Sequence, residues 1–250
     1  MSKENQIISV DINADVGEGL DNEAQLMPFL SSCNIACGGH AGNEMTMASV
    51  VKLAKRHQVK IGAHPSFPDK ANFGRLAMDI SSEKLLGSLK SQVNNLIKIL
   101  KAENELLHHI KPHGALYNLA NTEKTYAEVV ISLMKHYDKS VKLYAPYGSI
   151  VSKMAEKNGI TVIYEVFADR NYNDDLTLVS RSHPNALIED AAELSDHVLF
   201  MLQHHKVKTI SGTEKEIKVD TICIHGDHPQ AEQHLQILTA ELNKKGIQIK

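Results

Sequence analysis

Cysteine is scarce in this chain of 250 residues, and the spacing of its cysteines excludes several kinds of protein. The three cysteines are Cys33, Cys37 and Cys223, and they form no Cys-x-x-Cys pair. An odd number without paired spacing is a poor framework for disulfides or for a structural zinc site, because both need more partners. The scarcity favours a reducing compartment, so we expect a cytoplasmic protein.

Long apolar runs and an excess of charge of one sign are also missing. No run approaches the roughly 18 apolar residues that a transmembrane helix needs. The polar start, Met1 to Gln6, is unlike a secretory signal. The 27 basic and 30 acidic side chains nearly cancel, and the basic ones are scattered. The composition therefore predicts an ordinary folded protein with no membrane segment and no nucleic-acid partner.

The chain does contain a repeated alternation of short β-branched runs and longer helical patterns. The predicted strands are Ile7–Ile12, a second ending at Asn34–Ala36, Val59–Ala63, His108–Lys111, Val141–Tyr144, Thr161–Tyr164 and Thr221–Ile224. Such alternation implies parallel strands, which either close into a barrel or remain an open, doubly wound sheet. Polar and glycine-rich segments follow almost every strand, which favours a closed α/β barrel with its function at that rim. We predict one domain over residues 1–250.

Helix boundaries follow from apolar spacing and from capping residues. The clearest helix spans Ser82–Ala102, where leucine and valine recur every three or four residues. The other predictions are a helix from the cap Asn43 to His57, one from the cap Thr122 to His136, one from Pro184 and Asn185 through Leu202, a stop at Gly246, and a β-hairpin within Val207–Val219.

Polar side chains near the first three predicted strands are candidates for an active site. Asp11, Asn13 and Asp15 alternate with apolar residues and would lie on one face of a strand, where their burial requires partners. His40 lies in a glycine-rich loop that allows close approach to a ligand, and His64 ends the third strand. The alternative interpretation is a solvated strand end, a flexible loop and surface histidines.

Later segments repeat this pattern of polar residues after a strand. His109, Lys111 and His113 share a face if the fourth strand persists, and the lysine suggests anion binding. The remaining candidates are Arg75 after the third strand, Asp169, Arg170 and Arg181 after the sixth, and His225 and Asp227 after the seventh. Arginine suits a carboxylate or phosphate, although adjacent Asp and Arg also form ordinary surface pairs. In a barrel these positions would meet at one rim.

Taken in order, these segments resemble the LamB/YcsF family. The stretches that carry the resemblance are Asp11–Glu18, Asn34–Gly42, Gly62–Asp69, Phe73–Arg75, Lys111–Tyr117, Phe167–Arg170 and His225–Asp227. They span nearly the whole chain, so the match is specific. The chain departs from the family pattern at Leu176, where glycine is usual, and at Ser180, where proline is common. Leucine is unfavourable in a turn that needs a positive φ.

The resemblance implies a fold, a reaction and partners. The family's fold is similar to the (β/α)7 barrel of the glycoside hydrolase and polysaccharide deacetylase type. The implied activity is that of the A subunit of 5-oxoprolinase, which works with subunits B and C. Together they open 5-oxo-L-proline to L-glutamate while ATP becomes ADP and phosphate. No GxxxxGK(S/T) motif occurs and no GxGxxG motif follows a strand, so ATP would bind by another mode or largely on a partner.

The implied reaction assigns roles to the candidate residues. ATP coupling suggests phosphorylation of the lactam oxygen, with cations stabilising the phosphoryl charge and a carboxylate or histidine activating water. The predicted catalytic residues are Asp15, His40, His64, His113 and Asp169. The predicted substrate or phosphate ligands are Asn13, Glu18, Arg75, Lys111, Arg170, Arg181, His225 and Asp227. We also predict a divalent metal on Asp15, His40 and His64.

Two rival hypotheses remain open at the level of sequence. The first is a metal-dependent deacetylase or amidohydrolase that acts alone on a carbohydrate or lactam. The second is a non-catalytic binding subunit, because fold alone does not fix function. A stoichiometric metal would favour the first rival, and ligand binding without turnover would favour the second.

Overall fold

Seven parallel strands close into a barrel in the structure, a computed structural model that describes residues 9–226 and 230–250. The strands of the barrel are β1 (Ser9–Val16), β2 (Ser32–Ala36), β3 (Lys60–His64), β4 (His109–Ile110), β5 (Lys142–Ala145), β6 (Val162–Phe167) and β9 (Thr221–Cys223). The described residues also form the short strands β7 (Lys206–Lys208), β8 (Glu214–Glu216) and β10 (Gln248–Ile249). The first six pair in sequence order, β9 pairs with β6, and β9 also pairs with β1 and so closes the ring. The predicted (β/α)7 barrel is therefore confirmed.

Helices connect the barrel strands and cover their outer face. They are α1 (Glu23–Leu26), α2 (Glu44–Arg56), α3 (Ser82–Ala102), α4 (Gly114–Thr122), α5 (Lys124–Met134), α6 (Ile150–Lys157), α7 (Ala191–His204) and α8 (Ala231–Lys244). The apolar faces of these helices and the outward side chains of the strands form one core. In the described part of the chain, no helix is long and apolar enough to cross a membrane.

Helix α3 shows how the spacing of apolar residues sets the helical covering. Its leucines and valine at positions 85, 89, 93, 96 and 100 are all buried, so they form one stripe against the barrel. Ser81 caps the helix by accepting a hydrogen bond from the Lys84 amide. The predicted bounds of this helix are confirmed. Asn43 is likewise confirmed as the cap of α2, where it accepts from the Thr46 amide.

Two predicted helix starts are wrong. Thr122 is the last residue of α4, and the cap of α5 is Glu123, whose extended backbone makes a one-residue break between the two helices. The helix predicted after Asn185 begins only at Ala191, because the Asp190 carboxylate accepts from two amides of its first turn. Several residues that can cap a helix precede each of these helices. The sequence shows that they are of the capping type, but it does not show which of them acts as the cap.

Two other predictions concern strands. The hairpin is confirmed, since β7 and β8 pair antiparallel. The first strand is predicted at Ile7–Ile12; positions 7 and 8 lie outside the described residues, and β1 runs on to Val16. A short parallel strand absent from the prediction, β10, adds to the start of β1.

The barrel interior is polar along β1. Asp11, Asn13 and Asp15 are all buried and point inward, as their alternation with apolar residues predicts. Asp11 accepts hydrogen bonds from Thr221 at 2.6 Å and from the Ser32 hydroxyl at 2.7 Å. Asn13 donates to the Thr221 hydroxyl at 2.8 Å. The desolvation cost of this face is therefore met by partners on neighbouring strands.

Candidate active site

A cavity of about 320 Å³ opens at the carboxyl-terminal rim of the barrel. Among the predicted site residues, those that line it are Asp15, Glu18, His64, Arg75, Lys111, His113, Arg170, Arg181 and His225. Asn13, His40 and Asp169 are not on its wall, but each contacts a side chain that is: Asn13 lies 3.5 Å from Lys111 Nζ, His40 contacts Glu18 and Asp169 contacts His225. Asp227 lies outside the described residues. The barrel thus brings together residues from five strand ends that are far apart in sequence, as such folds do.

Four side chains form a compact ionisable cluster on one side of the cavity: Glu18, His40, His64 and His113. His40 Nε2 lies 2.9 Å from Glu18 Oε1, and His113 Nδ1 lies 2.9 Å from His64 Nε2. The rings of His40 and His113 stack with their centroids 3.6 Å apart. We call this group the histidine cluster.

Glycine at position 74 lets the loop after β3 pack against the histidine cluster. Its φ of +62° is a conformation that L side chains rarely adopt, and a Cβ there would lie 3.1 Å from His40 and 3.2 Å from His113. The loop can therefore bring the Phe73 carbonyl within 2.9 Å of His113 Nε2. This contact fixes the orientation of the His113 ring.

Backbone carbonyls decide which ring nitrogens carry protons. His113 Nε2 donates to the Phe73 carbonyl, and His64 Nδ1 donates to the Lys111 carbonyl at 2.8 Å. In neutral rings this leaves His113 Nδ1 and His64 Nε2 as acceptors, and these two atoms face each other at 2.9 Å. Burial lowers the pKa of His40 and of His113, so these rings are neutral near pH 7.

The histidine cluster fits a divalent metal on its chemistry. Its four ligand atoms lie within 4.8 Å of one another, and neutral imidazoles with one carboxylate are a donor set that zinc and similar ions accept. When neither His113 Nδ1 nor His64 Nε2 carries a proton, a cation between them would satisfy both nitrogens. The carbonyls that hold the opposite nitrogens orient the rings in the manner usual around metals.

The cluster differs from the metal set predicted from sequence. It contains Glu18 and His113, which were assigned to other roles, and it does not contain Asp15. Asp15 contacts His64 Nε2 at 3.3 Å, but its Oδ1 accepts from Lys111 at 3.1 Å and from Asn34 at 2.8 Å. The Asp15 carboxylate is therefore committed to the neighbouring lysine network.

Lys111 forms the centre of a second network, in the barrel interior beneath the cavity. Its ammonium lies 2.8 Å from Glu165 Oε1, 3.1 Å from Asp15 Oδ1 and 3.1 Å from Cys223 Sγ. Burial alone would lower the Lys111 pKa, but the surrounding carboxylates, Asp15 foremost, raise it well above its usual value. Burial raises the pKa of Asp15, but His64 and Lys111 more than offset this and hold it well below its usual range. Both groups are therefore charged.

Asp169, which is buried after β6, pairs with the partly exposed His225, which follows β9 and lines the cavity. The Asp169 oxygens lie 2.9 and 3.0 Å from His225 Nδ1, and one of them also accepts from the His225 amide at 3.2 Å. Burial raises the Asp169 pKa, but His225 outweighs it and lowers the pKa to about 2. The ring nitrogen that faces Asp169 therefore donates. Asp169 is 1% exposed, so the alternative of an Asp169–Arg170 surface pair is wrong.

The three predicted arginines have different surroundings. Arg170 is buried, and its guanidinium donates to the Val179 and Ala186 carbonyls at 2.6 and 3.3 Å, which ties down the loop between β6 and α7. Arg75 and Arg181 are exposed on the cavity wall. The Arg75 guanidinium lies 4.9 Å from the centre of the Phe73 ring. Arg75 and Arg181 are therefore placed to contact an anionic ligand as it enters the cavity.

Sequence reasoning missed three polar residues of the interior: Asn34, Glu165 and Cys223. Asn34 donates to both Asn13 and Asp15, at 2.7 and 2.8 Å. Glu165 accepts from Lys111 and from Asn13. The available signal for Glu165 was a single charge within an otherwise apolar strand, since burial of such a residue requires a partner.

The fold and the site together define the class of this protein. It is a (β/α)7 barrel with a histidine cluster that suits a metal and a charged cavity at the carboxyl-terminal rim. The chain belongs to the LamB/YcsF family, whose profile matches residues 10–250. The resemblance seen in the sequence motifs is thereby confirmed.

Relatives of known name are similar over nearly their whole length. The chain is 42% identical over 240 residues to a protein of Haemophilus influenzae (strain PittEE) named as the A subunit of 5-oxoprolinase, covering 96% of this chain and 98% of that one. It is 43% identical over 247 residues to the protein of the same name from Shouchella clausii (strain KSM-K16), covering 97% and 98%.

Solved structures agree with the fold. The lactam utilization protein from Thermus thermophilus superposes with a TM-score of 0.91 at 35% identity, covering 97% of this chain and 99% of that one. A GH18 chitinase from Pseudoalteromonas aurantia has a TM-score of 0.54 at 11% identity, covering 93% and 100%. At so low an identity the chitinase shares the fold alone.

Proposed function

We propose that this chain is the A subunit of an ATP-dependent 5-oxoprolinase, which opens 5-oxo-L-proline to L-glutamate while ATP becomes ADP and phosphate. It would act in the cytoplasm with subunits B and C. The names of its full-length relatives support the substrate and the existence of partner subunits. The observation that carries the proposal is a small cavity that combines a fixed ammonium group, exposed arginines and a carboxylate–histidine pair.

The lactam must be activated before water can open it, because its amide is resonance-stabilised. Transfer of the γ-phosphoryl group of ATP to the lactam oxygen would release ADP. Water then adds at the activated carbon and the ring C–N bond breaks, with the ring nitrogen taking up a proton, which leaves the phosphoryl group on the side-chain carboxyl of glutamate as an acyl phosphate. A second water hydrolyses this acyl phosphate and releases phosphate and L-glutamate. Each step places negative charge on oxygen atoms, which an already oriented cation stabilises without reorganisation.

Lys111 is the group best suited to that charge. It lines the cavity, its contacts with Asp15 and Glu165 fix its position, and its raised pKa keeps it protonated. Asp15 would then act by holding Lys111 and His64, since a carboxylate with so low a pKa is a weak base. Arg75 or Arg181 would bind the substrate carboxylate at the cavity wall.

His225 is the better candidate for the general base that activates water. Its Nδ1 donates to Asp169, so Nε2 is the acceptor nitrogen of the neutral ring, and the residue lines the cavity. Asp169 orients the ring and stabilises the cation that forms when the ring takes a proton from water. His225 thus moves from the predicted ligand role to the proposed base.

A divalent metal would be held by Glu18, His40, His64 and His113. When bound, it would supply Lewis-acid polarisation of an oxygen atom or a bound hydroxide at neutral pH. The same cluster favours a second candidate function, a metal-dependent amidohydrolase that acts without ATP.

The deciding experiment measures glutamate release from 5-oxoproline by the purified chain, alone and with subunits B and C, with and without ATP. We expect glutamate only in the full mixture with ATP. ATP-independent release that chelators abolish would establish the amidohydrolase instead. No release with partners shown to be competent, together with binding of 5-oxoproline, would identify a non-catalytic binding subunit.

A further inference from the structure

A second cavity, of about 450 Å³, adjoins the first and has no role in the proposed chemistry of the lactam. The two cavities share the wall residues Tyr117, Asn118, Phe167, Leu178 and Ser180. Both volumes fall within the range of about 300–1,000 Å³ typical of small-molecule sites. Groups bound in the two cavities would therefore be neighbours, and the second is larger than the one assigned to the small lactam.

The wall of the second cavity is largely aromatic and aliphatic. Its rings are Tyr117, Tyr147, Phe167 and Tyr172, which come from α4 and from the segments around β5 and β6. Leu178 and Leu176 close another side. Flat rings with aliphatic neighbours suit a planar, apolar-faced ligand, because stacking and burial of its faces are both favourable.

Polar atoms without partners are concentrated at this cavity. Glu165 Oε2, the Tyr117 hydroxyl and Asn121 Oδ1 are buried and make no hydrogen bond of normal geometry within the described residues. The Glu165 carboxylate nevertheless lies close to the Tyr117 hydroxyl, and burial foremost and then this carboxylate raise the Tyr117 pKa well above its usual value. All three residues line the second cavity, and Glu165 and Asn121 do not line the first. Glu165 Oε1 is bonded to Lys111 and Asn13, so its other oxygen, beside the Tyr117 hydroxyl, is the acceptor without a hydrogen bond of normal geometry. A buried acceptor left unpaired is costly, so a ligand that donates hydrogen bonds there gains affinity.

Leu176 contributes a strained backbone to the same wall. Its φ is +66°, a left-handed conformation that is unfavourable for leucine. The conformation is held by a hydrogen bond from the Leu176 amide to the Asn173 carbonyl at 2.9 Å. Strain of this kind persists where the surrounding structure over-determines it and is concentrated at ligand sites. Here it keeps an apolar side chain on the cavity wall.

We infer that the second cavity binds the adenine end of ATP, with the amino group of the base donating to the Glu165 and Asn121 oxygens. An anionic group would be repelled by Glu165, and a ligand without N–H donors would leave both acceptors unpaired. The phosphates would extend past the shared wall towards Lys111 and the arginines of the first cavity. This inference rests on the proposed function, which requires ATP, and it assigns the base site to this chain.

The test compares adenosine with inosine as ligands of the full-length chain. Neither carries a phosphate, so the cations of the first cavity do not contribute. Inosine has an oxygen where adenosine has its amino group, and that oxygen would face the Glu165 carboxylate. We expect adenosine to bind at least tenfold more tightly than inosine by calorimetry, with binding also followed by saturation-transfer NMR.

Two variants report on the acceptors. Glu165→Gln exchanges an acceptor oxygen for a donor, so it should weaken adenosine binding and reduce or reverse the preference over inosine. Asn121→Leu removes the second acceptor without touching the Lys111 network and should weaken adenosine binding several-fold. Asn95→Leu, on an exposed position of α3, is the matched control and should leave both affinities unchanged.

Equal affinity for the two nucleosides, or no binding of adenosine, would overturn the inference. Two combinations of results distinguish an error in the adenine site from an error in the proposed function. ATP-dependent glutamate release without adenosine binding would leave the function standing and place the nucleotide elsewhere in the assembly. Selective adenosine binding without glutamate release in the full assembly would leave the cavity assignment standing and reject the oxoprolinase reaction.

Discussion

At the scale of single residues, the orientation of His225 depends on one buried carboxylate. Asp169 holds His225 Nδ1 at 2.9 Å and has a pKa of about 2, so it stays ionised at any pH at which the protein works. Its charge holds a proton on Nδ1, so Nε2 is the nitrogen of the neutral ring that can accept a proton. The proposed base therefore depends on Asp169 even if Asp169 never touches substrate.

Asp169→Asn tests this dependence. The asparagine amide would donate to His225 Nδ1, which moves the ring proton to Nε2 and disables the base. We expect ATP-dependent glutamate release with subunits B and C to fall by about 10²–10⁴, the usual contribution of general-base catalysis. The side chains are isosteric, so the thermal unfolding midpoint should change little. Asp196→Asn, at an exposed position of α7, is the control, and turnover near that of wild type in Asp169→Asn would remove the pair from the mechanism.

The sequence indicates that several polar residues of the cavity wall lie at strand ends, but it does not indicate how they pair. Polar residues at strand ends marked Asp169 and His225, which are 56 positions apart, and the barrel topology indicated a common rim. Nothing in the local pattern says which carboxylate meets which histidine, because that depends on strand register and side-chain rotamers. For the same reason Asp15 was placed with the metal and not with Lys111, and Glu18 was placed with the substrate.

At the scale of elements, the His109 side chain of β4 lies against β3 because position 62 has no side chain. A Cβ on Gly62 would lie 2.1 Å from His109 Nε2. The His109 ring has no room to retreat, since it stacks on Tyr144 at 3.8 Å and its Nε2 lies 2.6 Å from Asn34 Oδ1. The pairing of these strands and the polar layer inside the barrel are therefore linked through one glycine.

Gly62→Ala and Gly87→Ala form a matched pair that tests this packing. Gly62→Ala should lower the free energy of unfolding by about 2–3 kcal/mol, as overpacking of a filled core does. Gly87 lies on the exposed face of α3, and a methyl group there would have no neighbour within 4 Å, so Gly87→Ala should raise stability by about 1 kcal/mol. Urea denaturation of both variants measures the difference, and a shift of the same sign in the two would contradict the account.

Element types were more predictable than their boundaries. Repeated apolar spacing identified α3 to the residue, and β-branched runs located all seven barrel strands. Boundaries failed where several capping residues lay close together, as at Thr122 and Asp190, because only tertiary contacts select one of them. The added strand β10 could not be foreseen, since two residues carry no periodicity and pair only because β1 presents an edge at Ser9 and Val10.

At the scale of the whole molecule, burial of neutral histidines couples stability to pH. Burial foremost lowers the pKa of His108 and of His197 to about 4, and neither belongs to the histidine cluster. In the unfolded chain such histidines titrate near 6.5. Between about pH 6.5 and pH 4 the unfolded state therefore binds more protons than the folded state, and stability falls as the pH is lowered through this window.

His197→Leu isolates one of these contributions. The His197 side chain on α7 is partly buried, and its buried Nε2 has no hydrogen-bond partner among the described residues, so a second proton on the ring is unfavourable in the folded state. The free energy of unfolding of the wild type should fall between pH 7 and pH 5, and the fall should be smaller in His197→Leu by about 2 kcal/mol. Urea denaturation at the two pH values gives the comparison, with the exposed His136→Leu as the control for the substitution itself. Equal falls in wild type and His197→Leu would mean that His197 gains a proton in the folded protein, and the acid sensitivity would then have to come from the histidines inside the barrel.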